Sequence, residues 1–229
     1  MTRVIINEIN LKYFCQIYYR LIRYINMSME EVFTNIYNQR AWGQDHRNGP
    51  GSTMAMTQSI RQILKGVIHK YQIKSIVDAG CGLYSWIDPI INRDMEYIGI
   101  DIVKKQIEDN VISQLKSEKN LSFQYGDLLQ ELPENARGKD LIFCKHLTQH
   151  LTAESTQKVL ANFKASGCQY LLITDYEITP NSENCQWKSP ECSALDAGAC
   201  RCQNLVLPPY GLTGRIEQYP KYSLFKLND

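Results

Sequence analysis

Three groups of residues in this 229-residue chain carry side chains able to do chemistry. The first is Asp78-Ala79-Gly80-Cys81-Gly82 at the end of one apolar run, with Asp101 closing the next, Tyr97-Ile98-Gly99-Ile100-Asp101. Glycines in such a turn let backbone approach a ligand, and an acid at the end of the following strand can take ribose hydroxyls. The dinucleotide pattern G-x-G-x-x-G is incomplete, because Ser85 stands at its third position. Asp78 also precedes the turn by two residues, where its charge would repel a pyrophosphate and attract a cation. The pattern therefore favours a nucleoside that carries positive charge and no phosphate.

The second group is Lys145-His146-Leu147-Thr148-Gln149-His150. A histidine at a strand end can serve as a general base, and His146 lies nearest that end; His150, four residues on, would share its face in a helical turn and orient a ligand. The pair lacks the glutamate of a hydrolytic H-E-x-x-H zinc site. The third group is Cys185, Cys192, Cys200 and Cys202, whose spacing lacks C-x-x-C and matches common zinc modules poorly, so free thiols are expected first. Trp42, Arg47 and Gly49-Pro50-Gly51-Ser52 read as a lid loop, with Arg47 available for an anionic acceptor group.

The elements that must position these residues alternate. Apolar residues at helical spacing (Ile60, Ile63, Leu64, Val67, Ile68, Tyr71) predict a helix over 53–71. A strand at 75–78 follows, then a short helix near 85–92 perturbed by Pro89, and a strand at 97–101. A helix at 103–117 is expected to turn Ile107, Val111 and Leu115 inward, before strands at 121–125 and 140–145. Thr152 should cap a helix over 153–165 ahead of a strand at 170–175. Two further strands are expected within 203–227, around Pro208-Pro209, and residues 11–25 read as a helix. The alternation predicts an α/β fold: a Rossmann-like, doubly wound, mostly parallel sheet with an antiparallel C-terminal strand and an N-terminal helical extension. The expected division is 1–52 as extension and lid loop and 53–229 as the main domain, with 179–202 as a cysteine-containing insert.

With those motifs in order, the chain resembles the class I S-adenosylmethionine-dependent methyltransferases. The resemblance rests on Asp78-Ala79-Gly80-Cys81-Gly82, Asp101, Gly126-Asp127-Leu128 and Asp140-Leu141-Ile142-Phe143-Cys144-Lys145, over about residues 55–175. It implies S-adenosylmethionine as cofactor. Gly80 and Gly82 would admit its methionyl end, with Asp78 near the amino group, and Asp101 would accept from the ribose hydroxyls. Asp127 and the Leu128 amide would meet the adenine, and Cys144 would lie beside the cofactor. Many members have a glycine where Tyr84 stands. A narrower resemblance, through Trp42-Gly43, Gly49 to Ser52, Trp86, Lys145 to Leu151 and Arg201 to Pro209, points to an uncharacterised bacterial and viral group, some near surface-polysaccharide genes. It implies methyl transfer to a small polar acceptor such as a sugar hydroxyl. The residue chemistry then puts His146 and His150 in catalysis and Trp42, Arg47, Gln149 and Arg201 at the acceptor.

Bulk properties bound the rest. A hydrophobic content of 44% supports a sizeable core, and a formal net charge of +1 gives no global field for nucleic acid. Residues 1–70 are basic and the remainder acidic. No run is long and apolar enough to span a membrane, and a signal peptide is not evident, so a cytoplasmic protein is expected. The alternatives are a non-catalytic S-adenosylmethionine-binding protein and a zinc-dependent interaction module built on the 185–202 cysteines. Oligomeric state is not readable from the sequence.

Overall fold

The structure, a computed structural model, describes residues 27–43, 47–177 and 201–227. Seven strands form one sheet: β1 (Ser75–Ala79), β2 (Glu96–Asp101), β3 (Asn120–Tyr125), β4 (Leu141–Cys144), β5 (Tyr170–Thr174), β6 (Arg215–Tyr219) and β7 (Tyr222–Lys226). Their order is β3-β2-β1-β4-β5-β7-β6; β1 to β5 are parallel, and β7 runs antiparallel between β5 and β6. The helices are α1 (Met29–Gln39), α2 (Gln58–Tyr71), α3 (Lys104–Ser113) and α4 (Ala153–Ala165).

Period-two alternation divides the core. Ile76, Tyr97, Leu141, Phe143 and Leu172 face a layer holding Ile60, Leu64 and Val67 of α2. Val77, Ile98, Ile142, Cys144 and Leu171 face the other, with Val159, Leu160 and Phe163 of α4. Both faces are apolar because both are covered, as a parallel sheet requires. The chain builds β1, β2 and β3 outward, then returns to place β4 on the other side of β1. That reversal opens a crevice beyond the carboxyl ends of β1 and β4, where open α/β sheets bind ligands.

Several expected elements differ. The 85–92 segment is not an α-helix: one 3₁₀ turn, Tyr84–Trp86, precedes irregular turns. Pro89 has no N–H for a helix, and buried Trp86, Ile87, Ile90 and Ile91 plug one sheet face instead. Helix α3 ends at Ser113 and buries Gln106, Ile107 and Asn110, leaving Val111 and Leu115 exposed. Asn110 explains the rotated face: its side chain accepts from Tyr84 N at 2.9 Å and donates to Gly82 O at 2.7 Å, bracing the glycine turn. Both C-terminal strands follow Pro208-Pro209 and join at Pro220-Lys221. Helix α4 has the expected bounds and its Thr152 cap, which accepts from Ser155 N at 3.1 Å. The helix expected at 11–25 lies outside the described residues; the described N-terminal helix is α1, begun by a capping box between Ser28 and Glu31.

Candidate active site

A cavity of about 720 Å³ occupies the crevice, within the range of small-molecule sites. Three consecutive strand ends supply its acids: Asp78 from β1, Asp101 from β2 and Asp127 beyond β3. Gly80 and Gly82 turn the chain between them with φ of 79° and 53°, a region that favours glycine. A Cβ on Gly82 would collide with the Asn48 amide nitrogen, so the lid loop lies directly on this turn.

Each acid is held differently. Asp101 accepts from Gly82 N and Val103 N, each at 2.9 Å, which fixes its plane and keeps a lone pair on each oxygen for a ligand. Burial raises its pKa, and those N–H groups pull it back. Asp127 accepts from Leu129 N at 2.9 Å, and Leu128 lines the cavity beside it. Asp78 is 2% exposed and accepts from the Tyr97 hydroxyl at 2.6 Å. Burial pushes its pKa up to about 7, against the hydrogen bond from Tyr97 and the attraction of the Lys145 ammonium. A cation arriving beside Asp78 would restore what burial removed.

The lid is tied to both walls. Asn48 donates to Gln106 of α3 at 2.9 Å, and Lys145 at the end of β4 donates to Gly51 O at 2.9 Å. Asn48 Oδ1 is buried without a hydrogen-bond partner among the described residues. Helix α1 adds a roof: Glu30 bonds to Lys104 at 2.7 Å and Tyr125 at 2.8 Å, and the Tyr37 hydroxyl donates to Asp109 at 3.0 Å.

At the far end, His146 and His150 do not share a helical face. His146 has a left-handed φ of 55°, and a 3₁₀ turn, Thr148–His150, follows. The His146 ring stands with Nδ1 3.4 Å from Lys145 Nζ and Nε2 3.2 Å from the Tyr222 hydroxyl. Burial, then the charges of Lys145, His150 and Lys221, push its pKa down to about 3. His150 instead stacks on Trp42, with ring centroids 4.7 Å apart. Gln149 lines the cavity and accepts from the Tyr176 hydroxyl at 3.0 Å. Arg47 lies over the Tyr37 ring at 4.9 Å, on the α3 side with Asp109, rather than with the histidines.

Two expected site residues stand behind the cavity. Cys144 is fully buried in the core and does not line the cavity; as an alternating residue of β4, its side chain points into the α4 layer. Arg201 is also outside the lining, its guanidinium donating to Leu151 O at 2.9 Å and its amide to Gln149 O at 2.8 Å, so it braces the Gln149 turn. Cys185, Cys192 and Cys200 lie outside the described residues, and among the described residues no group of three His, Cys, Asp or Glu side chains could hold a metal ion. No described helix is long and apolar enough to cross a membrane. Asn48, Gln106, Tyr176, Lys221 and Tyr222 line the cavity without having been singled out by any motif; long-range folding brings them in.

Comparison with known proteins agrees with this geometry. Residues 76–166 match the family model described as a methyltransferase domain. The PH0226 protein of Pyrococcus horikoshii superposes with a TM-score of 0.55 at 14% identity, over 79% of this chain and 96% of that one. An O-methyltransferase family protein from Burkholderia thailandensis gives 0.54 at 13% identity, over 83% of this chain and 62% of that one. At these identities the likeness is one of fold. No curated protein sequence matches the chain. The strand order and the crevice are those of a Rossmann-like, class I methyltransferase fold, and residues 76–166 carry the likeness to a methyltransferase domain.

Proposed function

We propose that the protein is an enzyme that binds S-adenosylmethionine and transfers its methyl group to a small polar acceptor. The observation that carries this is the row of Asp78, Asp101 and Asp127 along one cavity, reached across a glycine turn. Three carboxylates suit a cationic nucleoside and repel a diphosphate. Asp78, with the unpartnered Asn48 oxygen across Gly82, would hold the ammonium; Asp101 would hold the ribose hydroxyls; Asp127 and Leu128 would meet the adenine.

The bound cofactor supplies a sulfonium methyl already activated for displacement. The chain's own task is to close the lid, exclude water and align an oxygen nucleophile at the Lys145–His146 end. A sugar hydroxyl, the acceptor expected from the sequence, must lose a proton, and an imidazole held down at about 3 takes one weakly at neutral pH. His146 therefore acts as a neutral hydrogen-bonding residue, positioning Lys145 and Tyr222, while His150 and Trp42 form the wall beside Gln149.

Titration calorimetry with S-adenosylmethionine, S-adenosylhomocysteine and NAD tests the reading. Wild type should bind the first two and not NAD. Asp101→Ala should weaken both by about 1.5–3 kcal/mol, the scale of hydrogen bonds to a charged group. Tighter binding of NAD, or equal affinities in the two proteins, would overturn it.

A further inference from the structure

Charge is unevenly distributed along the cavity. The carboxylates gather at the ends of β1, β2 and β3, whereas Lys145 and Lys221 line the end between β4 and the β6–β7 hairpin. Lys145 Nζ gives one N–H to Gly51 O at 2.9 Å and turns a second toward His146 Nδ1 at 3.4 Å, which leaves the third for the cavity. Its ammonium also lies over the Trp86 ring, 5.3 Å from the centroid, on an apolar floor. Lys221 stands at the hairpin turn with a left-handed φ of 66°, next to Tyr222, whose hydroxyl lies 3.2 Å from His146 Nε2. Among the described residues, the charges of Lys145 and Lys221 both act on the His146 ring and lower its pKa.

We propose that this end of the cavity is a carboxylate-binding subsite formed by Lys145 and Lys221 over Trp86, and that the methyl acceptor is a small carboxylic acid. The identity of the acceptor rests on the methyltransferase reading above; the subsite itself rests on the cavity alone. A carboxylate suits the place for two reasons. Two lysines that line one cavity and both act on the His146 ring set a positive field there, which an anion would answer. A carboxylate also presents its oxygen already deprotonated: that oxygen's electron pair would form the new O–C bond to the methyl group as the sulfonium S–C bond breaks, giving a methyl ester with S-adenosylhomocysteine as leaving group, so the chain needs no base where it has provided only a weak one. Burial lowers the Lys145 pKa to about 8 against the opposing pull of Asp78 on β1, so the ammonium is mostly charged at neutral pH and a bound anion would hold it so. His146, His150, Lys221 and the hydroxyls of Tyr176 and Tyr222 are the other titratable groups facing this place.

The test uses benzoate, benzyl alcohol and benzylamine, which share a ring and nearly a size but carry charges of −1, 0 and +1. Binding is measured by ligand-observed NMR, both with the protein saturated in S-adenosylhomocysteine and without it. Benzoate should bind about tenfold or more tighter than benzyl alcohol, the factor expected of one charge-assisted hydrogen bond, and benzylamine weakest. The preference should shrink with added salt and above about pH 8, where Lys145 loses its proton. Lys145→Gln should abolish it and Lys221→Gln reduce it several-fold, with S-adenosylhomocysteine affinity in Lys221→Gln confirming an intact fold. Equal binding of the three probes, a preference for benzylamine, or no binding of any would overturn the subsite, and the unmutated protein alone is enough to show this. Failure of S-adenosylhomocysteine to bind, with the charge preference intact, would overturn the methyltransferase reading and leave the subsite standing.

Discussion

Asp78, the penultimate residue of β1, is 2% exposed, with one oxygen held by Tyr97 at the edge of the cavity. Its folded pKa, about 7, lies above the ordinary 3.8. Protonation therefore favours the folded state, and this residue's contribution to stability falls as pH rises from about 4 to about 7, then levels off. Asp78→Asn removes that dependence. Thermal scans of the ligand-free protein at pH 8 should show the variant more stable than wild type, with the difference vanishing toward pH 4. The same variant should bind S-adenosylmethionine more weakly, since an amide cannot match a cation. Gly82 gives a second prediction at this scale. Gly82→Ala places a methyl group against Asn48 at a φ of 53°, so both melting temperature and cofactor affinity should drop. Adding Asn48→Ala should recover part of the stability loss, and a double-mutant cycle by thermal denaturation would show coupling; strict additivity would contradict contact between lid and turn.

Among the elements, α1 and the 47–52 loop cover the cavity. Helix α1 is held by a capping box, with Glu31 N donating to Ser28 Oγ at 3.2 Å and Ser28 N donating to the Glu31 carboxylate at 2.8 Å. Ser28→Ala should cost the helix about 0.5–2 kcal/mol. Hydrogen exchange should quicken across 29–39 and leave β1 and β4 unchanged. The S-x-x-E signature of this helix stands in the sequence, yet the apolar run at 11–25 drew the helical expectation instead. Helix α4 was legible to its last residue because cap, apolar spacing and length agree. Helix α3 differs on its buried face, since Gln106 turns inward to Asn48 and Asn110 to the glycine turn rather than to the core. Such polar burial has no periodic signal. The 85–92 turn was misread because apolar residues next to a proline can fill a sheet face without forming a helix.

For the whole molecule, strand alternation and strand-end acids were enough to foresee a doubly wound sheet with its site at the carboxyl edge. Asp78, Asp101 and Asp127, the acids that the family resemblance picks out, all line one cavity. Cys144 and Arg201 were misplaced because a strand residue's face and a loop residue's partners are decided by the complete fold. Lys221 and Tyr222 reach the site only because β7 inserts antiparallel between β5 and β6 and swings the hairpin turn toward β4. The protein's function is decided by what this cavity holds. A crystal structure of the protein with S-adenosylhomocysteine should show ribose hydroxyls on Asp101, adenine at Asp127 and Leu128, and the amino group at Asp78. The nucleoside bound elsewhere, or reversed so that its adenine meets Asp78, would contradict it.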